Sequence, residues 1–103
     1  MSRLEEEFIY ILDKNTLTIK RCPDNILSYN LISELFENND ITNVIICNGV
    51  EKIRHMTFAG YRSLKKVSLP NTLKTIGESA FSGCKQLKEI NIPSGLERIK
   101  YNA

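Results

Sequence analysis

The 103-residue sequence has no tryptophan, one histidine, three cysteines and three prolines. It also has no apolar run approaching the roughly 20 residues of a membrane-crossing helix, so membrane insertion is not expected. Cys22, Cys47 and Cys84 are odd in number and lie 25 and 37 residues apart. That spacing fits neither a disulfide framework nor a zinc site and leaves the cysteines as small apolar fillers. His55 is the only histidine. Nothing around it has the spacing of a nucleophile triad, and it falls on an exposed turn. Gly-x-Gly-x-x-Gly and Walker phosphate loops are missing. Glu89 and Glu97 share columns with Lys66 and Lys74, and with Glu78 they read as solvated charge, not as a glycosidase pair. No catalytic residue, cofactor or metal is expected. The start, Met1-Ser2-Arg3-Leu4-Glu5-Glu6-Glu7, carries acids where a signal peptide needs a basic and then an apolar stretch. It reads as intracellular, or as a chain whose leader has been removed.

Charge is unevenly spread. Residues 1–40 hold eight acids and four bases, and residues 41–103 hold four acids and ten bases. The first segment is therefore acidic and the second basic, a difference that biases the choice of partner.

A 23-residue period begins at Ile41, giving units 41–63, 64–86 and an incomplete 87–103. Five apolar columns superimpose without gaps. They are Ile41/Leu64/Leu87, Val44/Val67/Ile90, Ile46/Leu69/Ile92, Val50/Leu73/Leu96 and Ile53/Ile76/Ile99. Phe58 aligns with Phe81, Tyr61 with Cys84, and Pro70 and Pro93 with Cys47. Asn43–Cys47, Lys66–Leu69 and Glu89–Ile92 alternate as half-buried strands do. A second short extended piece is expected at Glu51–Ile53, Lys74–Ile76 and Glu97–Ile99. Thr57–Tyr61 and Ser79–Cys84 read as helical or 3₁₀ turns with Phe inward. One such unit cannot bury its own apolar face, so the units must stack. Phe8–Leu12 and Thr16–Ile19, joined through Asp13-Lys14-Asn15, read as a hairpin. Ile26, Leu27, Leu31, Ile32, Leu35 and Phe36 read as one face of an amphipathic helix over Asn25–Asn39.

The run from Ile76-Gly77 through Ala80-Phe81, Cys84 and Leu87 to Ile90-Asn91-Ile92-Pro93 resembles the repeat of BspA-like leucine-rich-repeat proteins. The resemblance covers residues 41–103, and Thr16-Leu17-Thr18-Ile19 extends it forwards. It implies an α/β fold: a short right-handed leucine-rich-repeat solenoid with a parallel sheet, preceded by an N-terminal β-hairpin and a capping helix over residues 1–40. It also implies a binder of proteins, an adhesion or interaction module, at a cell surface or secreted. The chain departs from the pattern in two places. The ninth position of the generic repeat holds Gly49, Thr72 or Gly95, so no asparagine ladder is expected. His55-Met56-Thr57-Phe58 replaces the usual Gly-x-x-Ala-Phe.

Three candidate surfaces follow. The concave sheet face should carry Asn43, Lys66 and Glu89, then Ile45, Ser68 and Asn91, and should take a protein partner. Arg62 with Lys85, and Lys65 with Lys88, should form a basic ridge suited to a polyanionic glycan, as should the further column Arg54 and Lys100. Charge excess and aromatics fall short of what nucleic-acid binding shows. The third unit lacks its column phenylalanine, so Ile92, Leu96, Ile99 and Tyr101 should form an uncovered end. The polypeptide then reads as part of a longer repeat protein, or as one that meets a second copy there, most simply as a two-fold dimer. Cys84 is expected as a buried free thiol near Phe81.

Overall fold

The computed structural model describes residues 8–33 and 40–103. Alternation at the N-terminal side yields β1 (Ile9–Asp13) and β2 (Thr16–Arg21), paired antiparallel around Lys14-Asn15. Lys14 adopts φ 57, which suits a tight turn. From β2 the chain passes through a 3₁₀ turn, Pro23–Asn25, to β3 (Ile26–Leu27) and the short helix α1 (Tyr29–Ile32). Each repeat then supplies two strands. These are β4 (Asn43–Ile46) and β5 (Lys52–Ile53), β6 (Lys66–Ser68) and β7 (Thr75–Ile76), and β8 (Glu89–Ile90) and β9 (Arg98–Ile99).

The strands stack in two ladders. One is a five-stranded sheet in the order β1-β2-β4-β6-β8, parallel from β2 onward. The other is a four-stranded parallel ladder, β3-β5-β7-β9. Val44, Val67 and Ile90 occupy one register column, as the 23-residue period requires. On the remaining side the rungs are joined without strands: the Met56, Phe58 and Gly60 amides donate to the Glu78, Ala80 and Ser82 carbonyls. Every side of the coil therefore closes its backbone hydrogen bonds onto the next turn. The core is the set of inward columns, with Leu17, Ile19, Leu27, Ile53, Phe58, Leu64 and Leu73 fully buried. Phe58 and Phe81 stack at 5.5 Å and 7° as the spine of the third side.

One expectation is corrected and another narrowed. The helix over Asn25–Asn39 gives way to strand at Ile26–Leu27, which pair with Lys52–Ile53. Leu27 is needed in the column of Ile53 and Ile76, and Ser28 stays extended at φ −136. α1 keeps only Tyr29–Ile32, with Ile32 buried, while Leu35 and Phe36 lie outside the described residues. The Thr57–Tyr61 and Ser79–Cys84 segments, expected as helical or 3₁₀ turns, form no regular helix but are closed by the i to i+3 bonds of a 3₁₀ turn. They are successive turns with bonds such as Tyr61 N–H to Phe58 O and Cys84 N–H to Phe81 O. Met56, Ser79 and Asn102, one in each unit, sit at φ 59, 55 and 56, and Gly60 and Gly83 at φ 83 and 80. Left-handed residues at that interval stop a helix from propagating. The molecule is thus a parallel-sheet solenoid of about three turns, and among the described residues α1 is its only α-helix. The parallel ladder begins at Thr16, so the division expected between residues 1–40 and 41–103 falls inside one sheet.

The rungs approach most closely at Gly77. A Cβ there would lie 2.5 Å from the His55 nitrogen, 2.6 Å from the Arg54 carbonyl carbon and 2.9 Å from the Ile53 oxygen. All three are backbone atoms and cannot rotate away. At Gly95 the nearest backbone atom is 3.7 Å away. Gly77→Ala should therefore cost about 2–3 kcal/mol, the range of an overpacked core, and Gly95→Ala well under that. Urea midpoints of the two variants check this, and equal midpoints would contradict the close approach.

Candidate functional site

Cα partners in a ladder share a face, so the sheet's outward rows can be read from its register. One row is Asp13, Thr16, Asn43, Lys66 and Glu89, and the other is Ile11, Thr18, Ile45 and Ser68. Leu17, Val44 and Val67 between them are buried. The structure thus brings Asn43, Ile45, Lys66, Ser68 and Glu89 onto one open face. The hairpin adds Ile11, Asp13, Thr16 and Thr18, which the repeat columns could not reveal because they lie ahead of Ile41. Ile11 and Ile45 are 49% and 40% exposed and stand two strands apart across Thr18, with Lys66 and Glu89 on the strands beyond Ile45. A shallow groove of about 420 Å³ runs between β6 and β8, bordered by Lys66, Ser68, Lys88, Glu89 and Asn91.

Asn91 has a different task from the one expected. Its Oδ1 accepts from the Leu69 amide at 2.7 Å and its Nδ2 donates to the Leu69 carbonyl at 3.0 Å. The carboxamide prolongs the ladder where the short β8 ends, so this side chain is occupied by structure. Thr72 acts similarly: its hydroxyl donates to the Val50 carbonyl at 2.8 Å and accepts from the Gly49 amide at 2.9 Å. Polar clips between turns do exist, at Thr72 and Asn91, although no column of asparagines forms.

Arg62, Lys65, Lys85 and Lys88 are all exposed. The Lys88 amide donates to the Lys65 carbonyl at 3.0 Å, so these two stand on adjacent turns. His55 is exposed, as expected. It borders a groove of about 660 Å³ with Ser28, Tyr29, Asn30, Arg54 and Met56. Sequence reasoning did not assemble this groove, though the departure at His55-Met56 pointed to it. Glu78, Glu89 and Glu97 are exposed. Among the described residues no group of three or more His, Cys, Asp or Glu side chains could hold a metal ion, and no helix is long and apolar enough to cross a membrane.

The inward columns lose their cover at the last turn. Ile53 and Ile76 are 0% and 3% exposed but Ile99 is 56%. Ile92 and Tyr101 are 58% and 74% exposed, and Leu96 is half-buried.

Residues 15–103 match the BspA type leucine rich repeat region (6 copies). Two solved structures are similar. A leucine rich repeat protein of T. pallidum is 25% identical with a TM-score of 0.52, over 96% of this chain and 42% of that one. A leucine rich cell surface protein from Faecalibacterium prausnitzii A2-165 is 24% identical with a TM-score of 0.64, over 91% of this chain and 31% of that one. The chain therefore spans less than half the length of either. No curated protein matches it.

All three cysteines are free. Cys84 is half-buried, short of the full burial expected, because the last turn does not cover it. It packs against the core, and its thiol donates to the Phe58 carbonyl at 3.2 Å. Burial raises its pKa, with the Tyr61 backbone pulling the other way. Burial pushes Cys22 from 9.0 up to about 12. Burial, then the nearby Cys84 and Tyr29, raises Tyr61 as well. These groups are held neutral in the fold. Between the unfolded and folded values only the unfolded chain releases the proton, so stability falls as pH rises through that window. The urea midpoint should not respond to Cys22 ionisation below pH 9 and should fall from there towards pH 12, less steeply in Cys22→Ala. Matching slopes in the two proteins would contradict the burial of Cys22.

Proposed function

Because the chain belongs to the BspA type leucine-rich-repeat family, we propose that it is a non-catalytic interaction module whose open sheet face takes a protein partner. The carrying observation is the pair of outward rows, where exposed Ile45 on β4 stands next to the strand of Lys66, with Glu89 on the strand beyond and Ile11 at the other edge of the same rigid sheet. A rigid face loses little entropy on binding, and an apolar centre beside charges gives both affinity and orientation. Asn43 and Ser68 complete the contact surface, while Asn91 is held by Leu69. The test is quantitative capture from extracts by the native chain, by Ile45→Asp with Lys66→Glu, and by Lys65→Gln with Lys88→Gln. A partner retained by the first and third but lost by the second supports the sheet face. One retained equally by all three removes it.

A second reading concerns self-association of the 103-residue polypeptide. Its observation is the exposure of Ile92, Ile99 and Tyr101 on a ladder whose last strands, β8 and β9, are unpaired on one side among the described residues. Unpaired edges with apolar side chains pair readily. Light scattering at micromolar concentration should show species larger than one chain, and Ile92→Lys with Ile99→Lys should return the mass to a single chain. A native chain that stays monomeric contradicts this reading.

A further inference from the structure

The outer side of the ladder β3-β5-β7-β9 carries a charge pattern that neither the sheet face nor the Arg62–Lys88 ridge accounts for. Ile53, Ile76 and Ile99 occupy the inward column, so their neighbours point outward. Turn by turn these neighbours are Lys52 and Arg54, Thr75 and Gly77, and Arg98 and Lys100. Lys52, Thr75 and Arg98 are aligned in register. Gly77 N–H donates to Ile53 O at 2.7 Å and Lys100 N–H to Ile76 O at 2.9 Å, which aligns Arg54, Gly77 and Lys100 as well. Two pairs of cations thus flank a turn whose own outward residues are a threonine and a glycine. Strand geometry sets the backbone separations at about 7 Å within a pair and about 10 Å between pairs.

The centre of this arrangement is recessed. A groove of about 530 Å³ lies there, bordered by Lys52, Arg54, Thr75, Gly77, Glu78 and Lys100. All four cations are exposed, and none forms an ion pair with a described residue; Lys52, Arg54 and Lys100 border the groove against the single acid Glu78, while Arg98 stands outside it. In the adjacent column, by contrast, Glu51, Lys74 and Glu97 alternate in sign along the ladder, their backbones bonded turn to turn. Like charges gathered around a low point repel one another, and an anion seated between them removes that repulsion.

We infer that this cradle binds the anionic groups of an acidic polysaccharide. The inference is independent of the sheet-face reading. The occupant's class follows from what surrounds the cradle. His55 is the one aromatic side chain at its border, and a lone ring does not make the row of stacking platforms that successive bases of a single-stranded nucleic acid use. The 660 Å³ groove adjoins it and shares Arg54 and His55, and there the phenol ring of Tyr29, 52% exposed, stands beside Asn30 and Ser28. One flat ring with an amide and a hydroxyl suits the apolar face and hydroxyls of a sugar. A run of acidic sugars can therefore pass from the cradle to Tyr29 across Arg54. Of the ridge cations Arg62, Lys65, Lys85 and Lys88, only Lys88 borders any of the three grooves described.

The test uses heparin as probe, with neutral dextran and an oligothymidylate of matched charge as alternatives, at 50 and 200 mM salt. Four proteins are compared: native, Lys52→Gln with Lys100→Gln, Lys65→Gln with Lys88→Gln, and Ile45→Asp with Lys66→Glu. Circular dichroism confirms folding, which exposed positions should leave intact. The cradle variant should lose roughly tenfold in heparin affinity and show a flatter salt dependence. The ridge variant carries the same charge change and should lose about twofold or less, and the sheet-face variant should behave like the ridge variant. Equal losses in the cradle and ridge variants overturn the cradle, as does a native protein that fails to bind heparin at 50 mM salt. Oligothymidylate bound as tightly as heparin overturns the assignment to a polysaccharide, and dextran bound as tightly removes the role of charge.

Discussion

The structure depends on one constraint: each turn of chain must lie a strand spacing above the last and satisfy its backbone hydrogen bonds there. The two ladders and the strandless third side all obey it. Registry on three sides leaves each residue a fixed neighbour one turn away. A column must therefore be apolar along its whole length if it faces in, and it cannot be rescued by a local shift. Gly77 shows how strict the spacing is, because there the facing backbone leaves no space for a single methyl group. Thr72 and Asn91 show the complementary case, in which side chains supply bonds that strands of two or three residues leave unmade.

That constraint explains what could be read in advance. Columns at a fixed 23-residue interval are visible because the fold demands a like residue above a like residue, and Val44, Val67 and Ile90 stack accordingly. The N-terminal turn was hidden by its spacing. Leu17 pairs with Val44 across 27 residues and Leu27 with Ile53 across 26. A scan at a constant period passes over both, and the strand residues Ile26 and Leu27 then read as the first turn of the helix that the described residues show at Tyr29–Ile32. That the turns stop short of regular helix was hidden for a related reason: Met56, Ser79 and Asn102 are left-handed, a backbone state that composition does not announce.

The candidate surfaces were legible to a different extent. Outward columns follow from the inward ones by alternation, so Asn43, Ile45, Lys66, Ser68 and Glu89 could be placed from spacing alone. What spacing could not disclose was which outward side chain the backbone would recruit. Asn91 looks like its column neighbours, but it ends a strand only two residues long and is used to lengthen it. Nor could spacing show that Arg54 and Lys100, already aligned in sequence, stand with Lys52 around a recess. Gly77, required by the close approach of two turns, lies at the border of that recess.

The last point links packing to chemistry. In a solenoid the inward columns fix stability, and the outward ones are free of that demand unless a side chain is drawn into a clip. Ile45 on the sheet and Tyr29 beside the second ladder are both large, exposed and outside the core. Neither contributes the burial that would justify an apolar or aromatic residue at a wet position, since exposure removes most of that gain. The two residues lie on different elements, Ile45 on β4 and Tyr29 on α1, each next to side chains able to donate or accept hydrogen bonds. The two proposed surfaces are unlike in composition and stand on one rigid coil, so the backbone registry that supports either of them does not have to change for the other.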